Sequence, residues 1–111
     1  MRTFARMFAT LEARDLKGYC AAMHGAAYAG YLSRVCESAV QNKVRKADDC
    51  SRESIAQQVK ADAGQCLAMP AGEFEKKVQR GAEASQSFVK QITAQGVDGE
   101  KLLQEERANL R

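Results

Sequence analysis

The sequence predicts an all-α protein: an antiparallel helical hairpin with two nested disulfides, followed by additional C-terminal helices. Three observations support this fold class. The 111 residues include one proline, Pro70, and no alternating β-branched run of the kind that forms strands. Apolar side chains recur at steps of three and four residues along most of the chain, which is the helical period. Finally, the cysteines are placed symmetrically about Lys43, as Cys20 with Cys66 and Cys36 with Cys50.

In an antiparallel hairpin that turns near Lys43, residues equally far from the turn face each other. This arrangement would join Cys20 to Cys66 and Cys36 to Cys50. Pairing Cys20 with Cys36 would instead require a link of about 24 Å along one helix, whereas disulfide Cα atoms lie about 4.4–6.8 Å apart. A crossed pairing needs parallel helices and buries little. Two alternatives stay open: four reduced, buried thiols, and a metal site, although zinc motifs usually cluster their ligands.

Helix geometry adds a condition to the nested pairing. Sixteen residues of ideal helix rotate a side chain by about 160°, so Cys20 and Cys36 would not share a face of one straight helix. The pairing therefore predicts an interruption in the arms, for which four glycines are candidates: Gly18, Gly25, Gly30 and Gly64.

Element by element, we expect a first helix from about Thr10 to about Asn42, with a fresh turn able to start at Asp15. A turn over 43–47 precedes a second helix that ends near Leu67 and for which Asp48, Asp49 and Ser51 are suitable N-caps. Pro70 lies in the break before a third helix. Gly96 ends that helix, and Asp98 caps a short last one.

These elements suggest three segments: an N-terminal amphipathic segment (1–14), a disulfide-linked hairpin (15–68) and a C-terminal helical extension (69–111). In the first segment, apolar residues at helical spacing alternate with Arg2 and Arg6, a pattern typical of a mitochondrial targeting helix. We predict that this ordered segment packs against something. The apolar stripe of the third helix exceeds what a hairpin can cover, so we predict that 72–111 docks on a partner. Candidate partner contacts are Phe4, Phe8, Tyr28, Tyr31, Phe74 and Phe88.

The charge pattern favours a solvated helical surface. The net charge is +3, from 17 Lys and Arg against 14 Asp and Glu, with the two signs interleaved. One compact basic cluster, Lys43, Arg45 and Lys46, lies at the hairpin tip and is a candidate contact for phosphate or RNA. No apolar run approaches the length of about 20 residues that a membrane span requires.

No constellation of residues predicts catalysis. His24 is the single histidine, so no Ser–His or Cys–His pair is supported by spacing. No glycine-rich phosphate loop follows a strand, and the cysteines are too far apart in sequence for a redox pair. We therefore expect no enzymatic activity, no cofactor and no metal.

A helical hairpin fastened by two nested disulfides resembles the twin-cysteine CHCH family of the mitochondrial intermembrane space. The resemblance covers about 16–67, with the run 48–53 similar to the family's entry into its second helix and apolar side chains before Cys36. The family usually has C-x9-C in each arm, whereas both arms here are C-x15-C. The resemblance implies import through the mitochondrial disulfide relay and a structural or assembly role.

The expected function is thus a non-catalytic structural or assembly subunit of a respiratory-chain complex, with complex I as the candidate host. It would lie on the intermembrane-space side, peripheral to the membrane, with protein subunits as its partners. A mitochondrial ribosomal protein that contacts rRNA through Lys43, Arg45 and Lys46 is one alternative. A cytosolic helical adaptor with reduced cysteines is the other.

Overall fold

The computed structural model describes residues 1–110, and within that range it contains helices and no strand, which confirms the all-α class. A short 3-10 turn, Ala47–Cys50, precedes the fourth helix. The six α-helices are α1 (Arg2–Glu12), α2 (Leu16–Met23), α3 (Ala26–Gln41), α4 (Arg52–Leu67), α5 (Ala71–Ala94) and α6 (Gly99–Asn109).

The predicted first helix from Thr10 to Asn42 is wrong, because the chain bends twice within it. The first bend follows α1, where Arg14 adopts a left-handed backbone with φ 54°. Asp15 then caps α2, its carboxylate accepting a hydrogen bond of 2.9 Å from the Gly18 amide. The second bend lies between His24 and Gly25, where Gly25 is extended before α3 begins. This second break is the interruption that the phase of Cys20 and Cys36 predicts.

Ser51, Gly96 and Asp98 are confirmed as start and stop signals of the later helices, whereas Asp48 and Asp49 lie within the 3-10 turn and do not cap α4. The hydroxyl of Ser51 accepts from the Ser54 amide at the start of α4. Gly96, with φ 91°, follows α5 in the left-handed region that glycine tolerates best. Asp98 caps α6 by accepting from the Lys101 amide at 3.1 Å.

The core lies where α1 and α2 meet α5 and α6. Its buried members are Phe8, Ala9, Leu11, Tyr19, Cys20, Phe74 and Leu103. The N-terminal segment is therefore packed, as predicted, and its partners are the C-terminal helices of the same chain. This corrects the expectation that the third helix needs another protein to cover it. Phe74 and Ile92 are buried and Val78, Phe88 and Val89 are half-buried, because α1 and α6 cover that stripe.

The α3–α4 arm, defined as residues 26–67, has few buried residues. Only Cys36 is buried in α3 and only Ile55 in α4. The radius of gyration is 16.2 Å, compared with about 13 Å for a compact chain of this length. None of the helices described combines the length and apolar character of a membrane span. The arm thus depends on its disulfides more than on a core of its own.

Candidate functional site

Two disulfides set the geometry of the arm, and they are the two that the sequence predicts. Cys20 on α2 is bonded to Cys66 on α4, with the Cα atoms 5.7 Å apart. Cys36 on α3 is bonded to Cys50 in the 3-10 turn, with a Cα separation of 5.6 Å. All four cysteines are thereby oxidised. Counting free thiols on the native protein tests the alternative of reduced cysteines.

A polar cluster also joins α3 to α4. The Tyr28 hydroxyl donates a hydrogen bond to the carboxylate of Asp62, and the Gln58 amide donates to its other oxygen at 2.8 Å. The bond from Tyr28, followed by that from Gln58, holds the pKa of Asp62 below its usual 3.8. The same bond to Asp62 raises the pKa of Tyr28 above 10.0. This pair fixes α3 against α4 between the two disulfides.

Sequence reasoning missed Asp62, although the symmetry about Lys43 contained a signal for it. Tyr28 and Gln58 lie at equal sequence distances from Lys43, so the hairpin register places them face to face. Asp62 lies one helical turn beyond Gln58 on the same side of α4. A buried or half-buried tyrosine opposite a carboxylate at that spacing predicts a hydrogen bond.

The exposed surface of α3 is unusual because it carries few charges. Arg34 and Glu37 are the charged residues among its 16, and both are exposed. Tyr31 is 53% exposed and Val35 45% exposed. Tyr31 lies 6.3 Å from Tyr28, measured between ring centroids, and the Tyr28 ring in turn meets His24 edge to face at 4.8 Å.

The six candidate partner contacts do not form one surface. Phe8 and Phe74 are core residues, so their assignment as partner contacts is wrong: α1 and α2 bury them against α5 and α6. Phe88 is half-buried against Phe8, with ring centroids 5.3 Å apart. Phe4, near the N-terminal end of α1, is 56% exposed. Tyr28 and Tyr31 lie on α3, in a separate cluster.

The basic cluster lies between α3 and the 3-10 turn, at the tip of the arm. Lys43, Arg45 and Lys46 are all exposed, and no ion pair is formed by them within residues 1–110. Lys43 has a left-handed backbone with φ 61°. Asp49 accepts a hydrogen bond from the Lys46 amide at 3.3 Å, so an acidic side chain lies beside the cluster.

A second feature that the sequence did not reveal is a buried carboxylate, Glu106. Its side chain is 3% exposed and lies between two arginines of α1. The interleaved charge pattern predicted a solvated surface, and that prediction is wrong for this residue. The available signal was the pair Arg2 and Arg6, one helical turn apart, which places two cations on one side of α1.

The single histidine has a structural contact at the end of α2. His24 Nδ1 donates to the Cys20 carbonyl oxygen at 2.9 Å, and so caps the end of α2. Within residues 1–110 no cluster of His, Cys, Asp and Glu side chains could hold a metal ion. A groove of about 720 Å³ lies between α1, α5 and α6, with Phe8, Val78 and Leu103 in its wall and charged side chains at its rim.

Comparison with protein-family models, curated proteins and solved structures finds no significant match to this chain. The candidate site consists of a disulfide-fixed arm, the sparsely charged face of α3 and a basic tip.

Proposed function

We propose that this protein is a non-catalytic structural or assembly subunit of a mitochondrial respiratory-chain complex, on the intermembrane-space side of the membrane. The observation that supports this is the pair of nested disulfides that fasten an arm with almost no core. Such bonds persist in oxidising compartments and are rare in reducing ones. The resemblance to the CHCH family points to the mitochondrial intermembrane space as the compartment. The C-x15-C spacing distinguishes this chain from the family's usual C-x9-C pattern.

The division of the chain into a body and an arm suits a scaffold role. The body, from α1, α2, α5 and α6, carries the core. The arm presents Tyr31 and Val35 in a fixed orientation, since Cys36–Cys50 holds its tip and Cys20–Cys66 its base. A rigid, exposed apolar surface is what a subunit uses to hold its neighbours. Complex I is the candidate host.

A second candidate is a mitochondrial ribosomal protein, favoured by one observation. Lys43, Arg45 and Lys46 are exposed at the tip and carry no ion pair among the described residues. Such cations are free to contact phosphate. Binding to RNA through them would weaken steeply as salt is raised.

The decisive experiment is native purification of the full chain from its source cells under conditions that block thiol exchange. Co-migration with a respiratory complex on a native gel, unaffected by ribonuclease, supports the first proposal. Co-sedimentation with ribosomal subunits that ribonuclease abolishes supports the second. Recovery of the chain in a cytosolic fraction with four alkylatable thiols contradicts both and favours the cytosolic adaptor.

A further inference from the structure

From the unequal packing around the two disulfides we infer that Cys36–Cys50 is a reducible bond, which a dithiol reductant opens while Cys20–Cys66 stays closed. We call the first the tip disulfide and the second the base disulfide. Opening the tip disulfide frees the end of the arm and leaves the body folded. The fold thus contains a redox-sensitive device with a locked and an open arm.

The base disulfide is embedded in the core of the body. Cys20 is 1% exposed and belongs to the buried cluster, and Cys66 is half-buried against the same cluster. Tyr19, next to Cys20 in sequence, packs on Phe74 of α5 with ring centroids 5.8 Å apart. These contacts do not involve the sulfur–sulfur bond, so they keep the two thiols facing each other after reduction. Thiols held in this way re-form their bond readily, and a structural disulfide of this kind resists reduction.

The tip disulfide lacks such support. Cys36 is the one buried residue of α3, and the 3-10 turn that carries Cys50 has no buried residue. A hydrogen bond of the turn, from the Ser54 hydroxyl to the Asp48 carbonyl oxygen at 3.3 Å, is exposed. A segment with few buried contacts and exposed hydrogen bonds opens locally at low cost. Once the bond is broken, the turn therefore separates from α3, and the bond re-forms less readily.

Access determines which sulfur of the tip disulfide is attacked. Cys36 is 0% exposed, whereas Cys50 is half-buried in a turn whose other residues are exposed. A thiolate of the reductant therefore attacks Cys50 Sγ and forms a mixed disulfide, and Cys36 leaves as a thiolate that takes up a proton. The second thiol of the reductant displaces Cys50 and closes the reductant's own disulfide, so two electrons and two protons pass to the protein. Access does not distinguish the two bonds, since Cys66 is likewise half-buried; the packing around them does.

Opening the tip changes what the arm presents. Tyr31 and Val35 precede Cys36 on α3, and the basic cluster lies between the two cysteines of the tip disulfide in sequence. With the bond closed, these side chains are held in one orientation. With the bond open, α3 and the turn move apart, while the base disulfide still joins α4 to α2.

Reduction of the oxidised full chain at equilibrium tests the order in which the bonds open. The protein is equilibrated with mixtures of reduced and oxidised dithiothreitol, trapped by rapid alkylation and mapped by peptide. Cys36 and Cys50 should become alkylatable at a ratio of reduced to oxidised reagent about tenfold lower than Cys20 and Cys66. Opening of both bonds at one ratio, or of the base disulfide first, overturns the proposal. So does a native protein with four alkylatable thiols.

Two matched variants show whether packing sets this order. Phe74→Leu loosens the body beside Cys20, so it should lower several-fold the ratio at which the base disulfide opens and leave the tip unchanged. Ile55→Ala removes the buried side chain of α4 and should lower the ratio for the tip disulfide alone. Equal shifts of both bonds in either variant would show that the chain opens as one unit, which contradicts the proposal.

Hydrogen exchange of the variant Cys36→Ala/Cys50→Ala, compared with the oxidised wild type, examines the open arm directly. Protection should be lost over 37–54 and kept in α1, α5 and α6. Loss of protection in these three helices, or failure of the variant to fold, contradicts the independence of the body. Unchanged protection over 37–54 contradicts the release of the tip. The proposed host complex is tested separately, by native co-migration.

Discussion

The guanidinium of Arg6 on α1 lies 3.2 Å from the buried carboxylate of Glu106 on α6. Arg2 reaches the other oxygen of the same carboxylate at 3.1 Å. The two ends of the chain are thereby joined by one acidic side chain that has two cationic partners. A buried carboxylate needs such partners, because leaving it unpaired costs free energy. The ion pairs add to the apolar contacts of the core, which includes Phe8 and Leu103, in holding α1 against α6.

Glu106→Gln should lower the free energy of unfolding by about 1–2 kcal/mol, because the neutral amide cannot accept from two guanidinium groups as the carboxylate does. The arginines are partly exposed, so solvent screening keeps the loss below that of a fully buried pair. Urea unfolding of the oxidised protein measures this. Glu105→Gln is the control, since that side chain is 44% exposed and should change stability by less than about 0.5 kcal/mol. Equal effects of the two changes would contradict the role of Glu106.

Tyr28→Phe should remove two pH-dependent contributions to stability. The folded-state pKa of Asp62 is depressed. Its contribution to the free energy of unfolding is therefore present above pH 3.8 and is lost as the pH falls through the folded-state pKa. The folded-state pKa of Tyr28 is raised. Its contribution to the free energy of unfolding is therefore present below pH 10.0 and is lost as the pH rises through the folded-state pKa.

The measurement is the difference in unfolding free energy between wild type and Tyr28→Phe across pH. It should be positive near neutrality and shrink as the pH falls well below 3.8. Tyr31→Phe serves as the control because that ring is exposed and separate from Asp62. A pH-independent difference would show that the ring's packing, and not the bond to Asp62, carries the effect.

Cysteine placement allowed the disulfides and the break near Gly25 to be predicted, because covalent geometry and helix phase are nearly independent of context. The break at Arg14 was predicted only in part, as a fresh turn able to start at Asp15. Its signal, an arginine in a left-handed conformation, is weak in sequence and depends on the cap that Asp15 supplies. Phe8 and Phe74 were assigned to a partner surface because helical spacing identifies an apolar stripe without telling which helix covers it. Which helix covers the stripe depends on contacts between the two ends of the chain, and local sequence patterns do not contain that information.

Two glycines should respond oppositely to alanine. A Cβ on Gly99 would lie 2.8 Å from Ile92 Cγ1 and 3.0 Å from the Val89 carbonyl oxygen, so the α5–α6 contact must shift. Gly99→Ala should destabilise the protein by about 1–3 kcal/mol. Gly64, within α4, has nothing within 4 Å of its added Cβ. Gly64→Ala should stabilise by up to about 1 kcal/mol through helix propensity. Thermal unfolding of both variants decides this, and stabilisation by Gly99→Ala would show that the two helices separate easily.

The two disulfides should contribute unequally. Cys20–Cys66 closes a sequence separation of 46 residues and Cys36–Cys50 one of 14. In the chain-entropy model the outer bond contributes about 4 kcal/mol, and the inner one less than its separate value of about 3 kcal/mol because it is nested. Unfolding of the double variants Cys20→Ala/Cys66→Ala and Cys36→Ala/Cys50→Ala compares them. A larger loss from the inner pair would mean that native packing at the tip outweighs loop entropy.

The last prediction separates a scaffold from an enzyme. His24→Ala should leave the assembled complex nearly unchanged, because this side chain caps α2 through the Cys20 carbonyl and packs edge to face against Tyr28. The pair Cys36→Ser/Cys50→Ser should instead lower the abundance of the protein and of its host complex, because the tip of the arm then loses its covalent restraint. Steady-state protein levels and the yield of assembled complex in cells that carry each variant measure both effects. Loss of function in His24→Ala at normal protein level would contradict the scaffold role and point to chemistry at His24, Tyr28 and Asp62.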